Sequence, residues 1–158
     1  TCKLGNNVTR TVLIGNNCGC NLTNSDYNVI IGRSACLRSF DISKNIIMGD
    51  DSAYYIEKSQ SNILFGDEVF FRASNCDNNI GIGNSNGYLL KSSSNNIFIG
   101  SNVANNSFNS NMNDNIVLGN NAGRRILSDF NIISFNNTFI IWNYINNICN
   151  YTIYYIKY

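Results

Sequence analysis

The six residues Asn95 to Gly100, NNIFIG, recur with small changes along most of the chain. The variants are DYNVIIG (26–32), SKNIIMG (43–49), QSNILFG (60–66), DNNIGIG (77–83) and NDNIVLG (113–119). Aligned on the motif glycine, they mark Gly15, Gly32, Gly49, Gly66, Gly83, Gly100 and Gly119, with five successive intervals of 17 residues and a last one of 19. Self-similarity at a fixed short period is the signature of a solenoid, in which each unit stacks on its neighbours to complete a core that no single unit can bury.

The position four before glycine is Thr11 and then Asn28, Asn45, Asn62, Asn79, Asn96 and Asn115. Three before, the residue is always β-branched, from Val12 through Ile46 to Ile116, and one before it is Ile14, Ile31, Met48, Phe65, Ile82, Ile99 or Leu118. Three after glycine, small residues predominate, as at Cys18, Ala35, Ser52 and Ala122. Each unit therefore reads as a short strand, a tight turn at glycine, a second short strand with small inward residues, and a polar loop. The predicted fold is all-β: a parallel, two-sided β-solenoid of about seven coils of 17 residues. Coils stacked at about 4.8 Å bring the Asn residues into line, so the expected role of Asn28, Asn45, Asn62, Asn79, Asn96 and Asn115 is a structural amide ladder.

The facing of the strand follows from its apolar neighbours. With the β-branched pair on alternate positions directed inward, the middle position is expected outside. That stripe is Leu13, Ile30, Ile47, Leu64, Gly81, Phe98 and Val117, apolar where a lone solenoid would be polar. A strand buried on both faces reads as a continuous apolar run, and an exposed apolar patch of this length is uncommon on a soluble monomer. The expected cover is copies of the same chain around a shared axis; the rival cover is the C-terminal tail or another part of the parent protein.

At 158 residues with 11 basic and 10 acidic side chains, the chain is nearly neutral and only 13% charged. No basic face suits a nucleic-acid backbone, and no run of 18 apolar residues suits a membrane span. Asn makes up about a fifth of the chain, while Pro and His are absent. The chain begins with Thr and shows no charged-then-apolar leader, which suggests a fragment or a processed product. The six cysteines fit no zinc or redox spacing; Cys18 and Cys20 are expected to fill the core, and a Cys18–Cys36 bridge is possible in an exported protein. Sequons at Asn7, Asn21, Asn105 and Asn136 are expected from composition alone, and the basic pair Arg124 and Arg125 reads as surface.

The segments NNIFIGSNVANN and DNIVLGNNAGRRIL resemble the Asn/Gly repeats of trimeric autotransporter adhesin heads, and still more the NIxIGxxAG arrays of phage and giant-virus fibre-like proteins. The resemblance spans residues 7 to 127. It implies a left-handed β-roll, trimerisation, and a place outside the cell on a cell surface or virion.

The repeat domain is expected over 1–130, and 131–158 stand apart as a degenerate apolar tail. Those 28 residues contain no glycine and one charge, Lys157, and put Phe135 where glycine is expected. Two readings stay open: a capping or axis-covering strand pair, or translation past a frameshift in AT-rich DNA.

For chemistry, a hexapeptide-type acyltransferase solenoid is disfavoured by the absence of His. Asp50, Asp51, Asp67 and Glu68 follow glycine in adjacent coils and could form an acidic patch suited to glycoside chemistry or a cation, although acidic residues commonly occupy turns. The sequence thus points to a non-enzymatic structural and adhesive module without cofactor or metal. It would be a homo-oligomer, with a trimer favoured, that contacts a host glycan or protein. The alternative is a carbohydrate-active solenoid using the acidic patch.

Overall fold

A computed structural model describes residues 5–105, 112–123 and 132–133. It is a parallel β-solenoid, with no helix among the described residues. The thirteen short strands among the described residues are numbered in chain order. Sheet A stacks β1 (Val8–Thr9), β3 (Ser25–Asp26), β5 (Phe40–Ser43), β7 (Tyr55–Gln60) and β9 (Arg72–Ser74). Sheet B stacks β2 (Val12–Ile14), β4 (Val29–Ile31), β6 (Ile46–Met48), β8 (Ile63–Phe65), β10 (Ile80–Ile82), β11 (Ile97–Ile99), β12 (Ile116–Leu118) and β13 (Ile132–Ile133).

Sheet pairings join equivalent residues of successive coils, Val12 with Val29, Val29 with Ile46, Ile46 with Ile63, and onward to Ile97 with Ile116. The two extra residues of the longer coil lie between Val103 and Met112. Val103 N–H still bonds 17 residues back to Asn86, while Met112 N–H bonds 19 residues back to Ser93. β13 pairs with β12 through Ile116 and Ile132, so sheet B continues beyond the expected boundary at residue 130. The rest of the tail lies outside the described residues.

The glycine column explains the rigid period. Gly15, Gly32, Gly49, Gly66, Gly83, Gly100 and Gly119 have φ between 128° and 145°. A Cβ on each of the first six would overlap the carbonyl oxygen of the next glycine in the column. Both the torsion and the approach of backbone to backbone exclude a side chain. Among the described residues 26 that are not glycine also adopt positive φ, and nine of them are Asn, which tolerates the left-handed region better than most side chains.

Inside, the coil is thin and closely filled. Phe70 occupies a column otherwise held by Gly19, Cys36, Ala53, Gly87 and Ala104. Its ring fits because the next coil supplies Gly81 and Gly87; a Cβ on Gly87 would lie 2.5 Å from the Phe70 ring, and one on Gly81 2.7 Å from Val69. Phe98, 6.2 Å from Phe70 between ring centroids, fills the space beyond Gly81. The glycine that interrupts the middle column is therefore the complement of one large aromatic.

Candidate functional site: the outer faces of the coil

The facing of sheet B reverses the expectation. Ile30, Ile47, Leu64, Phe98 and Val117 are fully buried, Gly81 is buried with them, and Leu13 packs against the same core. The middle column is interior and is no self-association stripe. The flanking columns face out instead: Val12, Ile14, Ile46, Met48, Phe65, Ile82, Ile99, Ile116 and Leu118 are all at least 36% exposed. The reason is parity. In an extended strand, residues two apart share a face, so the middle residue goes wherever Asn goes.

Asn goes inside. Asn28, Asn45, Asn62, Asn79, Asn96 and Asn115 are at most 1% exposed. From Asn45 onward, each side-chain amide donates to the Oδ1 of the preceding Asn at 2.9–3.1 Å. The Asn28 amide, and the second amide hydrogen of Asn45, Asn62, Asn79 and Asn96, reach a carbonyl across the coil: Ile42, Ser59, Cys76, Ser93 and Met112 respectively. Each Oδ1 from Asn28 to Asn96 also accepts the backbone N–H of the next Asn. Satisfying the amides in this way removes the penalty of burying them, and it ties sheet B to the opposite wall.

Among the described side chains, sheet B thus presents two parallel columns of seven apolar residues, with Val29, Ile31, Ile63, Ile80 and Ile97 half-buried between the exposed ones. Sheet A's outer face differs. Its two columns run Arg38, Tyr55, Arg72, Leu89 and Phe40, Glu57, Ser74, Lys91. At the neighbouring corner Tyr54, Phe71 and Tyr88 stack with centroids 5.0 and 5.2 Å apart. Sequence reasoning missed this ladder, although three aromatics at intervals of 17 were its signal.

The four acidic residues do stand in adjacent coils, each with a partner. Asp50 accepts from the Arg33 backbone at 3.1 Å and from its guanidinium through Nε and Nη2, both at 3.2 Å. Asp51 lies 4.0 Å from the same guanidinium. The hydrogen bond from Arg33 to Asp50, followed by the attraction of Asp50 and Asp51, raises the Arg33 pKa further. Asp67 accepts from Asn84, and Glu68 from the Ser85 hydroxyl. No group of three or more His, Cys, Asp or Glu among the described residues is arranged to hold a metal ion.

Cys18, Cys36 and Cys76 are buried thiols, so the possible Cys18–Cys36 bridge is not formed. Cys20, expected as simple core filling, is disulfide-bonded. Burial pushes the Cys76 thiol up to about 11 and Cys36 higher still, which suits packing rather than nucleophilic chemistry. Asn7 and Asn21 are exposed, whereas Arg124, Arg125 and Asn136 lie outside the described residues. No protein-family model matches the chain, and neither curated proteins nor solved structures yield a match.

Proposed function

We propose that this chain is a non-enzymatic structural and adhesive module, a stiff rod that associates side by side with copies of itself within an extracellular fibre or surface adhesin. The observation that carries the reading is the outer face of sheet B. All-parallel sheets are normally covered on both faces, and here one face carries two unbroken apolar columns. Together they offer on the order of 800 Å², the share that one partner contributes to a standard interface. A second copy is the fitting occupant because it repeats the same rung spacing along the whole rod. The trimer suggested by the resemblance is the favoured assembly, and the disulfide at Cys20 suits an oxidising location such as a cell surface or virion.

The rod would act mechanically, with its coils as spacer and its repeated surface as a place where weak contacts add. Light scattering on the full chain tests the proposal. A trimeric mass is expected, with Ile82→Lys combined with Ile99→Lys yielding a monomer of unchanged far-ultraviolet circular dichroism. A parent chain that stays monomeric at high concentration would remove the fibre reading. Turnover of a glycan that disappears in Asp67→Asn would instead favour the acidic patch as an active site.

A further inference from the structure

The outer face of sheet A carries a groove whose chemistry differs from the rest of the rod. Two adjoining clefts, of about 290 and 240 Å³, share Tyr55 and Arg72. Arg38 and Tyr54 line the first, while Glu57 and Lys91 line the second. Three cations, Arg38, Arg72 and Lys91, therefore face one carboxylate. None of the three forms an ion pair with a described residue, whereas Arg10 and Arg33 are held by Asp26 and Asp50. Tyr55, 40% exposed, occupies the rung between those of Arg38 and Arg72, with its ring edge-on to Phe40. Ala73 and Leu90 form an apolar floor beneath the second cleft.

We infer that this groove binds an anionic glycan, a chain of sugars bearing carboxylate or sulfate groups. Arg38 and Arg72 are two rungs apart, roughly 9.6 Å along the rod, a separation close to the length of a disaccharide. Acidic groups on alternate sugars can thus meet successive guanidiniums, each a planar fork matched to carboxylate or sulfate oxygens. Tyr55 offers an apolar surface and a hydroxyl to the sugar between them. Lys91 adds a cation one rung beyond Arg72, in the neighbouring column. The inference deepens the adhesive part of the proposed function by naming a ligand class and a place for it.

Titration calorimetry on the full chain, with three hexasaccharides as probes, tests the inference. A sulfated uronic-acid hexamer and its carboxylate-only counterpart are expected to bind, and a neutral glucose hexamer is not. Arg38→Ala combined with Arg72→Ala should weaken binding at least about tenfold, the scale of losing charge-assisted forks. Arg72→Lys should weaken it less than Arg72→Ala, and Lys44→Ala, on another corner of the coil, should leave it unchanged. The inference is overturned if the double variant binds like the parent, if the neutral hexamer binds as tightly, or if a single-stranded oligonucleotide of equal charge binds more tightly than either acidic hexamer. Light scattering on the double variant separates the two claims: an unchanged assembly with lost glycan binding supports the groove, while glycan binding by a monomer would sink only the fibre.

Discussion

The two sheets of one coil meet solvent in opposite ways. Sheet B repeats one large apolar residue after another along both outer columns, whereas on sheet A arginine is followed by tyrosine, and serine by lysine. Backbone stacking cannot explain the contrast, since both sheets are parallel and built on the same rungs. Uniformity along a rod indicates that every rung meets the same surroundings, as it would against another rod. Irregularity is what rungs that meet water one by one permit, and it leaves room for a local binding site of the kind proposed above.

The strongest way to break the comparison is to break both faces at once. Gly66→Ala would place a methyl group against the backbone of Gly83, at a φ of 134°. The expected loss exceeds about 5 kcal/mol, read as the absence of a cooperative urea transition in circular dichroism. A tolerated alanine would show that the glycines do not set the coil spacing.

Neighbouring substitutions test which side of sheet B is which. Ile47→Asp buries a charge without a partner and should cost at least about 4 kcal/mol. Ile46→Asp, one residue away and 39% exposed, should fold with a midpoint close to the parent's while reducing the assembled mass. The reverse result would restore the opposite facing.

Smaller effects distinguish the interior ladder from the exterior one. Asn62→Ala removes donors to Asn45 and Cys76 and leaves Asn79 without its acceptor, at an expected cost of about 2–4 kcal/mol in urea denaturation. Phe71→Ala, which opens the stack between Tyr54 and Tyr88, should cost only about 1–2 kcal/mol by the same measurement. If Phe71→Ala proved the more damaging, the exterior stack would rank above the amide column in holding the coils together.

Much of the architecture was legible because it repeats. A chain that places glycine every 17 residues and asparagine four before it reveals its rung length and the alignment of its amides without any coordinates. The facing of the strand was less legible, because Val-Ile-Ile and Ile-Ile-Met are apolar throughout and offer no alternation to follow. The deciding residue was polar: Asn28 and Ile30 lie on one face, and once the amide is bonded across the interior, the isoleucine must follow it. The usual rule that polar residues lie outside pointed the other way. The groove on sheet A was hidden for a different reason, since Arg38, Tyr55 and Arg72 resemble nothing until coils place them one above another.

The sequence by itself determined the period, the parallel stacking and the need for glycine at each turn, because these follow from spacing and from backbone torsions that only a few residue types adopt. Only the tertiary structure decided which apolar columns became core and which became surface. That choice depends on where the buried amides find acceptors, and those acceptors are carbonyls across the coil, 14 residues away from Asn28, Asn45, Asn62 and Asn79.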